Sequence, residues 1–415
     1  MLLLKGSLST LDFKSFNKNK LFNYLTILLA FSIPLSKGSH AILFSALAII
    51  WIIEGDWQKK WKMIRSEPLF KVILVFYTYL VLSLLWSNNW HLGITHLLKY
   101  YFLLLLPMFY TSINRYFFPY IISAFLAAMA ISETLSYLIM FNVIHFKQSW
   151  SSADPSPFMH HTIYSIFLVL AIFILAIRLF RETKTLFQKA IFIFFITTMM
   201  ANLFLNVGRT GQLSFALALI IFLLIQFRLS ILKTLIIIIP VLTTVFFLAF
   251  NFSTIFKNRT IETYRSIDHL ITHRTAMSDS TGLRFMMWHT AYEIIREEPF
   301  FGVGIGDDID ALHKVLTTKK IQYQADIGNI SDFHNSYIQI TLYGGIVGLF
   351  LWLITIAVMF RQLDDNRDIK TIGSIMLALL TLYMFIGNFP VSYLTILFTL
   401  IIGITLKRPN KQMAL

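Results

Sequence analysis

The sequence predicts an all-α polytopic integral membrane protein with about twelve transmembrane helices and one large, partly helical loop outside the bilayer. Three observations carry that prediction. The residues are 57% hydrophobic and only 13% charged, with a mean hydropathy of +0.69, whereas about a quarter of the residues of a soluble domain are charged. Apolar runs of helix-spanning length recur along the whole chain. One long polar stretch, 251–333, interrupts them.

Taken in order, the apolar runs lie near 22–38, 40–54, 69–86, 96–113, 117–141, 160–180, 188–206, 211–227, 231–250, 335–360, 371–388 and 391–406. Helices are expected, because a lone lipid-exposed strand leaves its backbone polar groups unsatisfied. The alternation of a barrel strand is absent. The first run follows a basic segment without a small-residue cleavage site, and so reads as a retained span. No low-complexity tract, long linker or repeat divides the chain, and 1–415 reads as a single integral domain.

Sidedness follows from the basic residues. With the N-terminus inside, Lys5, Lys14, Lys18, Lys20, Lys59, Lys60, Lys62 and Arg65 face the cytoplasm. Arg115, Arg181, Lys184, Arg228, Arg361, Arg367, Lys370, Lys407, Arg408 and Lys411 follow on the same side. The opposite loops are poor in charge: SNNWHLGIT has no Lys or Arg, and 142–159 has only Lys147. This asymmetry makes 1–21 and 407–415 cytoplasmic, with nine spans in 22–250, the loop 251–333 outside and three spans in 334–406. The net charge of +14 therefore reports topology and anionic lipid rather than nucleic acid. With no cysteine, disulfides and thiolate metal sites are excluded.

Three outward-facing places depart from the apolar background. In NVGRTGQLSF, Arg209 stands between Gly208 and Gly211, where a basic residue is unusual; the glycines would let backbone N–H groups approach a ligand. The alternative is a snorkelling arginine at a helix end. The long loop carries Arg259, Arg265, Arg274 and Arg284, and DSTGLRFMMWHTAYEIIRE predicts a helix over 281–297. Arg284, Trp288 and Tyr292 recur there at i, i+4 and i+8, on one face. That face either packs the helix onto the membrane surface or lets the Arg284 guanidinium meet phosphate oxygens. The helix should stop before Pro299, and GVGIG beyond it lacks the strand–turn–helix context of a dinucleotide site. Third, His334 and Asn335 stand beside Asp332 where the next span begins. Imidazole is suited to accepting a proton near neutral pH, although an interfacial histidine can be merely structural. Gly345 and Gly348, further into that span, permit close helix packing.

Weaker features complete the reading. His160 and His161 could line a substrate entrance, but adjacent residues point apart on a helix and make a poor metal pair. Asp307, Asp308 and Asp310 lack the spacing of a calcium loop and read as a solvated acidic stretch. Lys99 and Arg178 read as snorkelling residues at helix ends, and Glu133 flags a buried polar contact.

At this point the chain resembles the O-antigen ligases (lipid A-core:surface polymer ligases), within the O-antigen ligase/polymerase superfamily. The resemblance covers the whole chain in size, span count and one late periplasmic loop. Its most specific element is His, then Asn/Ser/Gln, nine residues, and Gly-x-x-Gly, which His334, Asn335, Gly345 and Gly348 fit without a gap. Arg209 matches the family's outer-face arginine before a span, and Arg284 the arginine of its loop helix. Pro299, Gly302 and Gly304 match a Pro-x-x-Gly-x-Gly segment.

The resemblance implies a GT-C-like glycosyltransferase of the bacterial inner membrane with its active site on the periplasmic face. Its donor would be a glycan on undecaprenyl pyrophosphate and its acceptor a sugar hydroxyl of lipid A-core, in lipopolysaccharide biosynthesis. His334 would act as general base or position the acceptor, and Arg209 and Arg284 would stabilise the departing pyrophosphate. Asn335, Trp288 and His161 join the arginines as expected substrate-binding residues. No metal set or ATP site is visible on the outer face, so metal-independent inverting transfer without a cofactor is expected.

An O-antigen polymerase is the nearest alternative, but it more often carries two sizeable periplasmic loops. A protein O-oligosaccharyltransferase would usually add a C-terminal soluble region. A lipid-linked glycan flippase, from a different class, should line its membrane interior with charge, and few ionisable residues lie within these spans.

Overall fold

The computed structural model describes residues 18–144, 151–152, 154–181, 185–273, 279–318, 330 and 332–408. Lys5, Lys14, Lys147, Lys184, Arg274 and Lys411 lie outside the described residues. Those described form helices joined by short turns, with no named strand among them.

In chain order the helices are α1 (Lys18–Ser32), α2 (Lys37–Glu54), α3 (Trp57–Ser66), α4 (Pro68–Leu82), α5 (Trp90–Lys99), α6 (Tyr101–Ser112), α7 (Phe118–Met140), α8 (His161–Arg181) and α9 (Leu186–Leu205). They continue with α10 (Arg209–Gln226), α11 (Ile231–Phe252), α12 (Thr254–His273), α13 (Ser280–Glu297), α14 (Asp308–Thr318), α15 (Ser336–Arg361), α16 (Arg367–Ile386) and α17 (Ser392–Thr405). Ten helical stretches of the described chain are long and apolar enough to cross a membrane. The first and last of the twelve expected runs fall outside that set, because α1 and α17 have only 15 and 14 residues.

Side-chain caps begin many of these helices. Ser36, Asn89, Ser230, Asp279, Asn335 and Asn366 each accept a hydrogen bond from a backbone N–H of the first turn, satisfying donors that a helix start leaves unpaired. Thr185 and Gln188 form a reciprocal capping box at α9.

Apolar residues on all sides bury α8 and α17 in the centre of the bundle. By contrast, α2, α9 and α11 expose most of their surface, as lipid-facing helices do. At one end of the bundle Arg115 pairs with Asp364, Lys407 with Asp365, and Arg181 with Asp368 at 3.2 Å. Arg408 donates to the Ile113 carbonyl there. These are basic residues assigned by sequence to a single side. The described residues of 253–335 pack at the opposite end, where Ser87 donates to Asp307 and Tyr393 to the Phe158 carbonyl.

Candidate active site

Among the described residues the long segment supplies three helices, α12, α13 and α14. The start of α13 at Ser280 and its end at Glu297 match the expected 281–297, since Asp279 caps one end and Pro299 lies just beyond the other. Its buried face, Met286, Met287, Thr290, Ala291 and Ile294, packs with Leu312, Val315 and Leu316 of α14 and with Phe333 and Leu342. This second hydrophobic cluster anchors α13 to the start of α15.

Arg209 opens α10. Its Nη1 donates to Thr263 Oγ1 of α12 at 2.6 Å and its Nη2 to Ser280 Oγ of α13 at 2.8 Å. The guanidinium fork thus ties three helices together through neutral oxygens. The nearby carboxylates are otherwise engaged, Glu262 by Arg259 at 3.1 Å and Asp279 by Ser266 and the Thr281 and Gly282 amides. Arg259 is an electrostatic neighbour of Arg209, and Arg209 of Arg284. Burial and then the Arg209 charge lower the Arg284 pKa. Among the described residues neither Arg209 nor Arg284 has a carboxylate ion-pair partner. Half-buried guanidiniums whose neighbouring carboxylates are engaged by other groups make a site for an anion.

Gly208 and Gly211 serve another purpose than the expected close approach of backbone to a ligand. A β-carbon on Gly208 would lie 2.7 Å from Ser165 Oγ, and one on Gly211 would lie 2.8 Å from a Leu203 methyl. Their absent side chains let α10 pack tightly against α8 and α9.

Trp288, one turn beyond Arg284 on α13, donates its indole N–H to the Phe333 carbonyl at 3.0 Å and packs edge-on against Phe385. It therefore holds the turn that carries the next residue, His334. Phe333 and Asn335 are buried, while half of the His334 side chain is exposed. A left-handed backbone at His334 (φ 47°) turns it outward between them. Asp332 fixes this turn: its Oδ1 accepts from the His334 backbone N–H at 2.8 Å and lies 3.1 Å from the ring Nδ1, an ion-pair contact when the imidazole is protonated. A proton on Nδ1 leaves Nε2 with the lone pair of a base. Asn335 spends its Oδ1 on the Tyr337 and Ile338 amides, capping α15. Tyr292 is exposed and stacks with Arg296 instead.

The two glycine motifs meet. Within α15 the helix breaks at Gly344 (φ −137°, ψ 18°) and Gly345 (φ 61°, ψ −162°), so Gly345 marks a break and not simply close helix packing. The chain after Pro299 closes the gap. The Pro299 carbonyl accepts from the Ile346 N–H at 2.9 Å, and the Val303 N–H donates to the Leu342 carbonyl at 2.9 Å. Tyr79 Oη donates to the Gly344 carbonyl at 2.6 Å. A β-carbon on Gly302 (φ 66°) would lie 2.7 Å from the Gly345 nitrogen. Backbone groups freed by the break are thereby satisfied at membrane depth.

Just beyond this clamp, Asp307 and Asp308 are buried, and only Asp310 is exposed as the sequence reading expects. Asp307 accepts from Ser87 Oγ and from the Asn88 and Asn89 amides at 2.8–2.9 Å. Asp308 accepts from Gln339 Nε2 at 2.6 Å, and burial raises its pKa to about 6. Charge in a polar loop read as solvated; here it caps the turn after α4 and braces α15. His96, Lys99, Asp332, Gln339 and Tyr343 line a small cavity beside it, so Lys99 belongs to a polar cluster.

His161 begins α8, with Nδ1 2.7 Å from Asp154 Oδ2. Burial opposes ionisation of Asp154, but His161, Ser156 and His160 together outweigh it and lower the pKa. The His161 carbonyl would lie 3.0 Å from a β-carbon on Gly208, which puts α8's start beside Arg209. The structure thus brings Arg209, Arg259 and Arg284 together, links them through Trp288 to His334, and sets His161 next to α10. Sequence reasoning missed Thr263 and Ser280 as supporting residues; a hydroxyl in a polar loop carries no distinguishing signal.

Residues 193–353 match a protein-family model described as O-antigen ligase. No curated protein matches the chain. The matched segment contains Arg209, Arg284, His334 and both halves of the helix-break clamp. Over that segment the chain is similar to the O-antigen ligases, and the match supports that family.

Proposed function

We propose that the chain is an O-antigen ligase, transferring a polysaccharide from undecaprenyl pyrophosphate to a sugar hydroxyl of lipid A-core at the periplasmic face of the inner membrane. One observation carries this reading: Arg209 and Arg284 stand without carboxylate ion-pair partners among the described residues, and Arg284 lies one helical turn from the tryptophan that holds the outward-turned His334. A family of membrane enzymes acting on lipid-linked glycans supplies the context.

The chemistry follows from the charges. His334 Nε2 takes the proton of the acceptor hydroxyl while that oxygen attacks the anomeric carbon. The bond from that carbon to the pyrophosphate oxygen breaks, and its electron pair leaves on the pyrophosphate. Attack opposite the leaving group inverts the anomeric centre. Arg209 and Arg284 stabilise the charge developing on the leaving oxygen, so the two guanidiniums fill the role a metal ion has elsewhere. Asp332, Trp288 and Asn335 hold the His334 turn, and His161 flanks the arginines.

Purified protein supplied with undecaprenyl-pyrophosphate O-antigen and lipid A-core tests this. A gel shift of the lipid A-core supports ligation. Lengthening of the lipid-linked glycan with unmodified lipid A-core would instead establish a polymerase, and no change in either substrate would favour transport.

A further inference from the structure

The end of the bundle opposite His334 carries a surface that the reaction does not use. There α3 joins α2 to the stretch that begins with α4, both long and apolar enough to cross a membrane. Glu54, the last residue of α2, accepts from Ser112 Oγ at 2.6 Å. Arg408 donates to the neighbouring Ile113 carbonyl, so α3 sits at the same end as the Arg115–Asp364 pair. With ten residues it is about 15 Å long, half the hydrocarbon thickness of a bilayer. It connects two spans without being one.

The helix is oriented from within. Lys60 is buried: its Nζ pairs with Glu54 at 2.8 Å, donates to the Trp51 carbonyl at 2.7 Å and lies 5.4 and 5.1 Å from the Trp51 and Trp57 ring centroids. Met63 is buried as well. At about 100° per residue, the rest of the surface divides in two. Trp57 and Trp61, 46% and 62% exposed, flank the buried side. Arg65, Gln58, Lys62 and Lys59, all exposed, fill the next arc, about 120° wide. Lys71, in the first turn of α4, is exposed too. Of the carboxylates in 54–71, Glu54 is engaged by Lys60, Glu67 is buried, and Asp56 alone is exposed.

Indole rings beside a cationic arc suit a helix lying in the interface plane. The rings sit at headgroup level, and lysine and arginine meet phosphate oxygens. Ile49, Ile52 and Ile53, exposed in the last turns of α2, continue the apolar side toward hydrocarbon. We infer that α3 lies in the headgroup layer of the leaflet opposite the reaction and binds the phosphate of an anionic glycerophospholipid through Lys59, Lys62 and Arg65. Charge complementarity selects an acidic lipid over a zwitterionic one, whose own cation offsets the phosphate.

The test uses the full-length protein in detergent, with phosphatidylglycerol and phosphatidylcholine of matched chains, and reads bound lipid by native mass spectrometry. Wild type should retain phosphatidylglycerol in preference. Lys59→Gln, Lys62→Gln and Arg65→Gln together should weaken that binding by roughly 100-fold, about fivefold per charge, with phosphatidylcholine unchanged. The control removes equal charge from exposed positions elsewhere at the same end: Lys189→Gln, Lys233→Gln and Arg361→Gln. It should keep most of the binding. Equal retention of both lipids by wild type overturns the inference, and so does an equal loss in the control. Brominated lipids test the depth of α3 independently. Brominated phosphatidylglycerol should quench tryptophan fluorescence more than brominated phosphatidylcholine, and Trp57→Phe with Trp61→Phe should remove that excess. An excess that persists places the lipid elsewhere and overturns the inference.

Discussion

Gly345→Ala should damage this protein far more than Gly348→Ala, although both belong to one short motif. Gly345 has φ 61° and ψ −162°, a region that is essentially glycine-only and costs about 1–3 kcal/mol for other residues. Its added β-carbon would also collide with the Phe300 carbonyl and stand 2.5 Å from the Phe301 nitrogen. These are backbone atoms and cannot rotate away, so the 299–303 segment must move off the helix break. That sacrifices the Pro299–Ile346 and Val303–Leu342 hydrogen bonds, each worth about 1 kcal/mol net. The total is about 3–5 kcal/mol, a large share of the roughly 5–15 kcal/mol that holds a typical domain folded. At Gly348 the nearest atoms would be 3.3 and 3.4 Å away, and relieving them should cost about 1 kcal/mol. Unfolding in detergent, followed by tryptophan fluorescence, measures the difference, and transfer by membranes normalised for protein content measures its functional consequence. Equal stability of the two variants would refute the clamp.

Arg209→Ala and Arg284→Ala should each abolish transfer while the protein still accumulates in the membrane; near-normal transfer removes that residue from the site. Asp332→Asn should lower kcat by about 10- to 100-fold with little change in KM, as expected when a general base worth roughly 10²–10⁴-fold loses its support; an unchanged kcat would leave Asp332 a spectator. Asp308→Asn should stabilise the protein at high pH. The folded-state pKa of Asp308 is raised to about 6 by burial, so the stability of its protonated form is present below the ordinary aspartate value and is lost as pH rises through about 6. The variant's advantage should therefore grow from near zero at about pH 4 to at most about 3 kcal/mol at about pH 8. An advantage that did not change with pH would contradict the assignment.

Much of the architecture is visible in the residues. Apolar runs are read directly because a bilayer demands them, and α13 is bounded by an asparate cap and a following proline, both local signals. The first and last helices come out shorter than a spanning length, since apolar composition does not mark where a turn begins. The clamp was illegible: Pro299 and Ile346 bond across forty-odd residues, and a glycine string alone does not say whether it turns, packs or breaks a helix. The left-handed backbone of His334 was equally hidden, because it arises from Asp332 and the buried flanks and not from a glycine. The burial of Asp307 and Asp308 contradicted the usual expectation for acids in a loop; the partners that satisfy them come from the turn after α4 and from α15.

The most direct test is transfer by the purified protein, wild type beside His334→Ala, read as the mobility shift of lipid A-core on a gel. His334 is half exposed and holds no core contact of its own, so the variant should fold and bind yet leave lipid A-core unshifted. A shift equal to the wild type's from the folded variant would contradict the role of His334 in the reaction.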